Sequence, residues 1–241
     1  ACTMTSLHPA SEAELADLVK AAAADSQQLR IVGGGTRTSG VSDHKRVTTA
    51  GLAGITLYEP AEMIISARAG TPLREVEALL AQNNQMLPFE PMDHRTLLGT
   101  SGEPTVGAIA ACNISGSRRV SAGAARDHLI GLRYVNGRGE VLRAGGRVMK
   151  NVTGLDIVKL QAGAYGLLGA LTEVTFKVLP KPQYTLTLAL SDIDPAQATE
   201  VMADAMATPF EVAAAAYFED DFGSHAWLRL EGFEKSCAYR A

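Results

Sequence analysis

The chain holds three cysteines in 241 residues, Cys2, Cys112 and Cys237, widely separated and without a CxxC pair. That pattern argues against a disulfide framework, a zinc site or an iron–sulfur cluster, and favours free thiols. If the protein moves electrons, the next carrier lies on another chain. No Lys/Arg block occurs and the formal net charge is -4, which argues against nucleic-acid binding, because a basic face is needed to neutralise backbone phosphates. Apolar stretches are too short, and too often broken by Gly, Pro or charge, to span a bilayer. The N-terminus shows no positively charged segment followed by an apolar run, so the expected compartment is the cytoplasm. At 46% hydrophobic and 20% charged the composition is globular, with room for one large or two ordinary domains.

The most informative segment follows a short apolar run and reads Val32-Gly33-Gly34-Gly35-Thr36-Arg37. Consecutive glycines let backbone N–H groups approach an anion closely. A P-loop needs Lys and then Ser or Thr after its last glycine, whereas Gly40 is followed by Val41 and Ser42. A dinucleotide fingerprint counted from Gly33 finds Gly35 in place but Thr38 where its last glycine belongs. The segment alone reads equally as a turn or as a phosphate loop.

Local patterns predict mixed α+β material. Ser11 and Glu14 form a capping box ahead of a helix over 12–24, and Leu29 to Val32 is a strand leading into the glycines. Strands are expected at 55–58 and 63–67, and Thr71-Pro72 opens a helix with Leu73, Val76, Leu79 and Leu80 on one face. Asn136-Gly137-Arg138-Gly139 between apolar runs predicts a β-hairpin. A strand over 171–179 ends at Pro180-Lys181-Pro182, where the domain boundary is expected. Beyond it stand an alternating strand from Tyr184, a helix from Asp194-Pro195 to about Ala207, and strands at 211–218 and 226–230. Phe233 to Arg240 reads as the start of another helix. A β-α-β-β layer does not easily close its own core, so the polypeptide reads as part of a longer protein.

Two further small-residue regions accompany the glycine loop. Thr105-Val106-Gly107-Ala108 leads to Ala110, Ala111, Cys112, Asn113 and Gly116, which is either a wall for a flat ligand or a close-packed helix. Gly163 to Gly169 is the third. Three such stretches in one domain point to one extended ligand.

The order of Ile31–Thr36, Thr105–Ala108, Arg126-Asp127, the Asn-Gly hairpin, Thr153–Asp156 and Leu168–Glu173 resembles the vanillyl-alcohol-oxidase-type, or PCMH-type, FAD-binding family. Gly145–Val152 and Met86–Pro91 resemble, within it, the FAD-binding subunits of bacterial glycolate oxidases, and the likeness continues into Leu228–Phe233. The resemblance implies a two-subdomain FAD-binding domain over 1–180 and an incomplete α+β cap, or substrate, domain over 183–241. It implies that Val32, Gly33, Gly34, Gly35, Thr36, Arg37 and Thr38 wrap the FAD pyrophosphate and that Pro91 and Met92 lie near the flavin. Thr105, Val106, Gly107, Ala111, Asn113 and Gly116 would line the rest of the cofactor, with Leu171 approaching from the last strand. Arg37 reads equally as a solvated loop arginine.

Family members with covalent flavin usually place His after the glycines, where this chain has Thr36 and Arg37, or Cys before the Thr-Val-Gly segment, where it has Glu103 and Pro104. FAD is therefore expected to be noncovalent. Oxidising a 2-hydroxy acid at a flavin needs a cation for the carboxylate and a base for the hydroxyl proton. His94, His128, Arg118 and Arg119 are conceivable, but a lone His is more often structural, and no catalytic residue is assigned. The resemblance implies an FAD-binding subunit of a glycolate oxidase complex, passing electrons from a small 2-hydroxy acid to partner subunits. A second flavoprotein subunit and an iron–sulfur subunit are the expected partners, and they leave membrane association through partners open. Two alternatives stand: an FAD-binding assembly subunit without its own hydride transfer, and an independent D-lactate-type dehydrogenase.

Overall fold

The computed structural model describes residues 6–37, 44–146 and 155–241, so Thr38 and the motif residues 147–154 lie outside it. Helix α1 (Glu12–Ala24) begins as expected, with Ser11 accepting from the Glu14 amide at 3.1 Å and Glu14 from the Ala10 amide at 2.8 Å. Its buried Leu15 and Ala16 pack with Val47, Leu52, Val135 and Ala170. Strand β1 (Leu29–Val32) pairs in parallel with β2 (Lys45–Thr48), a strand the sequence pattern did not announce.

Strands β3 (Ile55–Glu59) and β4 (Ile64–Arg68), helix α2 (Leu73–Ala81) and the short β5 (Gln85–Met86) follow. Met63 takes a left-handed conformation, φ 55°, so β4 begins one residue later than expected. Four short helices come next: α3 (Arg95–Leu98), α4 (Val106–Cys112), α5 (Arg119–Ala122) and α6 (Ala125–His128). Strands β6 (Leu129–Val135) and β7 (Val141–Gly145) form the predicted hairpin, followed by α7 (Ile157–Gln161), β8 (Ala170–Lys177) and β9 (Leu179–Pro180). Strands β3, β4, β8, β6 and β7 make one antiparallel sheet in the order β3-β4-β8-β6-β7. The strand expected over 171–179 divides: β8 stays in this sheet, while β9 leaves it to pair with β5.

One face of the five-stranded sheet carries the main core. Ile65, Ala67, Leu132, Val174 and Phe176 pack there against α2, α4 and the buried Phe89. Burying side chains of this size stabilises by about 1.5–3 kcal/mol each.

After the proline pair, β10 (Tyr184–Ser191), α8 (Pro195–Ala207), β11 (Ala214–Asp220), β12 (Gly223–Gly232) and α9 (Glu234–Arg240) build a second layer. Its sheet has the order β10-β12-β11. Asp194 caps α8 through its side chain. The left-handed Glu211, φ 50°, delays β11 to Ala214. Leu186, Leu188, Leu228, Leu230 and Cys237 fill the face beneath α8 and α9, while Arg229 and Glu231 stand on the opposite face.

Charge joins the two layers. Arg118 Nη2 lies 2.7 Å from Glu231 Oε2, Arg229 Nη2 donates to Glu90 Oε2 at 2.6 Å, and Arg229 Nε lies 3.1 Å from Glu231 Oε1. Ser121 Oγ adds a bond to the Ala213 carbonyl at 2.8 Å.

Candidate functional site

The glycine loop leaves the edge of the β1/β2 pair. Its base is fixed by Thr49 N donating to the Val32 carbonyl at 2.8 Å and Thr48 Oγ1 to the Gly33 carbonyl at 3.0 Å. Its far end is held by Thr100 Oγ1 on the carbonyl of the buried Thr36, at 2.7 Å. Two positions between these anchors have no room for a side chain. A Cβ on Gly33 would overlap the Thr105 hydroxyl, and one on Gly34 would overlap the Glu103 carbonyl. Among the described residues, the Gly34, Thr36 and Arg37 amides donate to no carbonyl or side chain. Amides in a partly buried loop can serve a ligand as donors.

Helix α4 is the facing wall. A Cβ on Gly107 would overlap Ala69, whose carbonyl accepts from the Gly107 amide at 2.9 Å. At the other end of α4, the Ala110 and Ala111 carbonyls accept from the Gly163 and Tyr165 amides at 3.2 and 2.8 Å. The third small-residue stretch is thereby held against the second. Gly163, Tyr165 and Gly166 all have positive φ, at 85°, 56° and 77°, a winding that keeps the backbone close to α4.

One pocket results, lined by Val32, Gly33, Gly35, Thr36, Arg37, Gly107, Ala111 and Leu171 among the expected residues. Ala108 and Cys112 from the second small-residue stretch and Tyr165 and Gly166 from the third also line it, as does Ala69, which the sequence did not single out. The glycines around Tyr165 were the available signal for that segment. The other expected residues lie elsewhere. Gly34 backs the loop against Gly102 and Glu103, Thr105 sits beneath Gly33, and Val106 is core. Asn113 ends α4 with φ 51°, its Oδ1 accepting from the Arg126 amide at 2.8 Å. Gly116 packs on the Glu90 carbonyl, so it belongs with Pro91 and the half-exposed Met92 near the second layer, outside the pocket lining. The second region is a close-packed helix whose Gly107, Ala108, Ala111 and Cys112 face the pocket.

The conceivable catalytic groups are mostly engaged. His128 is buried and its Nε2 donates to the Ala122 carbonyl at 2.7 Å, so that nitrogen carries the proton in the neutral ring. Burial pushes its pKa below the ordinary histidine value. His94 Nδ1 is 3.0 Å from the Met92 carbonyl in an exposed loop. Arg118 is committed to Glu231 and to the Pro88 carbonyl, while Arg119 is exposed on a separate helix. Burial pushes the Cys112 thiol up, partly opposed by the Arg37 charge. Among the described residues, no cluster of His, Cys, Asp or Glu could hold a metal ion.

The model of the FAD binding domain family matches residues 6–145. The chain belongs to this FAD-binding family. Over 183 residues it is 42% identical to glycolate oxidase subunit GlcE of Escherichia coli (strain K12), a match covering 76% of this chain and 49% of that protein. It is 39% identical over 84 residues to glycolate oxidase subunit GlcD of Bacillus subtilis (strain 168), covering 35% of this chain and 18% of that protein. A solved alkyldihydroxyacetonephosphate synthase matches with a TM-score of 0.76 at 18% identity, over 98% of this chain and 48% of that one, which shows a shared fold. The FAD-binding chain thus spans about half the length of the GlcE subunit it matches.

The residues present fit FAD. The loop amides without acceptors suit a diphosphate. The Thr105 hydroxyl is buried without a partner beside Gly33, and a side chain at Gly33 would collide with it. Cys112, the thiol in the lining, is held protonated by burial and so disfavoured as a point of covalent attachment. Noncovalent FAD is typical of this family, and Thr36 and Arg37 stand in the loop where a His serves the covalent link in other members.

Proposed function

We propose that this chain is the FAD-binding part of a glycolate oxidase subunit, in a complex that takes electrons from a small 2-hydroxy acid and passes them to partner subunits. One observation carries the reading. Three small-residue segments far apart in sequence are joined around one pocket, in a chain 42% identical to a protein named as a glycolate oxidase subunit.

In this reading the FAD-binding domain is 1–180 and the partial cap domain 183–241. Residues 33–38 hold the pyrophosphate through main-chain amides. Thr105, Val106, Gly107, Ala111, Asn113, Gly116 and Leu171 shape the remaining cofactor wall, directly or by holding α4, and Pro91 and Met92 border the flavin ring. FAD, when bound, supplies the hydride acceptor. The chain's own residues bind and orient it, and the Thr105 hydroxyl donates to an acceptor on the cofactor. Tyr165 and the Gly163–Gly166 turn exclude water along one edge.

The onward path lies on a second flavoprotein subunit and an iron–sulfur subunit, in keeping with the sparse cysteines. A cytoplasmic location, with membrane association through partners, agrees with the described residues, where no helix is long and apolar enough to cross a membrane.

A second reading has its own support. Arg118 and Arg229, the cations between the two layers, are already neutralised by Glu231 and Glu90, which leaves neither as a ready partner for a substrate carboxylate. The chain would then bind FAD chiefly as an assembly component. Anaerobic glycolate titration of the full-length subunit, alone and in its complex, separates the two. Bleaching of the isolated subunit's flavin supports hydride transfer here, and an oxidised flavin alone with reduction only in the complex assigns that step to another chain.

A further inference from the structure

The face of the five-stranded sheet turned away from the main core holds a cleft of about 390 Å³. Arginines enter it from three strands: Arg68 on β4, Arg133 on β6 and Arg143 on β7. The register sets them in one row, with Arg68 opposite Glu173, Glu173 opposite Arg133, and Arg133 opposite Arg143.

Of the two carboxylates in the cleft, Glu12 is already engaged. Glu12 accepts from Arg133 Nε at 3.1 Å and Nη2 at 2.5 Å, and from Thr172 Oγ1 at 2.5 Å. Glu173 stands between Arg68 and Arg133 in the row. Three cations against two anions leave one positive charge in excess. It falls at Arg143, whose cross-strand neighbour is another arginine, an unfavourable pairing unless an anion stands nearby. Two residues along β4 and β8 from Arg68 and Glu173, on the same face, the hydroxyls of Ser66 and Thr175 lie 2.8 Å apart and buried. A pair of hydroxyls sharing one hydrogen bond has a second hydrogen left to donate.

We propose that this cleft binds a hydroxylated monocarboxylate of sugar-acid size. Its carboxylate is held by Arg143 beside Arg133, and its hydroxyls are read at Ser66 and Thr175. A single negative charge matches the excess, whereas a doubly charged phosphate would exceed it beside Glu12 and Glu173. The β6/β7 and β4/β8 seams are two strand spacings apart, roughly 10 Å, a gap that a six-carbon acid bridges together with the long Arg143 side chain. The cleft is separate from the cofactor pocket: Ala69 and Leu171 line that pocket, while their neighbours Arg68 and Thr172 line the cleft. The site is therefore independent of which substrate the flavin serves.

The test is calorimetric titration of the full-length, FAD-loaded protein with gluconate, with sorbitol as its uncharged analogue. The same titrations are run on Arg143→Met, whose FAD content by visible absorbance serves as the folding control. Saturable gluconate binding, absent for sorbitol and weakened about tenfold or more in R143M, supports the site. No saturable binding up to about 10 mM, equal binding of sorbitol, or equal gluconate affinity in R143M overturns it; that upper limit corresponds to an interaction too weak for a formed site.

Discussion

The hydroxyl of Thr105 occupies the place where a Cβ on Gly33 would have to go. That hydroxyl is buried and has no hydrogen-bond partner in the protein, so the first glycine of the loop packs against a donor the protein itself does not use.

Substituting the glycines should therefore damage fold and cofactor binding together. Gly33→Ala forces the Thr105 side chain to rotate, an overpacking cost of roughly 1–3 kcal/mol. Gly34→Ala should cost more, because its obstacle is the Glu103 main-chain carbonyl, which cannot rotate aside. Thermal melts of the apoprotein and the ratio of flavin to protein absorbance check both, with G34A expected to be the worse on each.

Thr105→Val separates the two effects. Removing a buried hydroxyl that has no protein partner leaves apoprotein stability unchanged or slightly raised, because a desolvation cost disappears. If the hydroxyl serves the cofactor, FAD affinity falls about fivefold to tenfold, the worth of one hydrogen bond. Fluorescence titration of apoprotein with FAD reads the affinity, and equal affinity in both proteins would remove Thr105 from the cofactor site.

These residues show what the sequence could reveal. The glycine loop, the capped α1 and the hairpin were legible because each rests on local chemistry: close approach, N-cap bonding, turn geometry. Ala69 was not: it carries no local signal and reaches the pocket as the residue following β4. The departure of β9 to pair with β5 is a tertiary choice that an apolar run ending in proline does not encode.

Glu231 should govern docking of the C-terminal layer. It is nearly buried and stands within ion-pair distance of both Arg118 and Arg229. Glu231→Gln leaves the guanidiniums under-compensated and should destabilise the protein by on the order of 3 kcal/mol. Urea unfolding measures this, and limited proteolysis between residues 180 and 184 should accelerate in the variant. Unchanged unfolding and cleavage would mean that apolar contacts alone hold the layers.

Acid stability should depend on Glu12. Hydrogen bonding from Arg133, then from Thr172, with the charges of Arg133 and Arg68, holds its carboxyl below the ordinary range despite the opposing effect of burial. A depressed folded pKa means the stabilisation is fully present above the unfolded value, near 4.5, and is lost as pH falls through the folded value. Denaturation midpoints between about pH 6 and pH 3 should therefore fall more steeply in the native protein than in Glu12→Gln. Parallel curves would show that Glu12 contributes nothing linked to protons.

The central claim is that this chain carries FAD, held without a covalent bond by the glycine loop and α4. The visible spectrum of the purified full-length protein, recorded before denaturation and again on the supernatant after acid precipitation, tests it most directly. The account predicts flavin absorbance in the native protein that passes entirely into the supernatant. A colourless protein that takes up no added FAD, or flavin that stays with the precipitate, would contradict it.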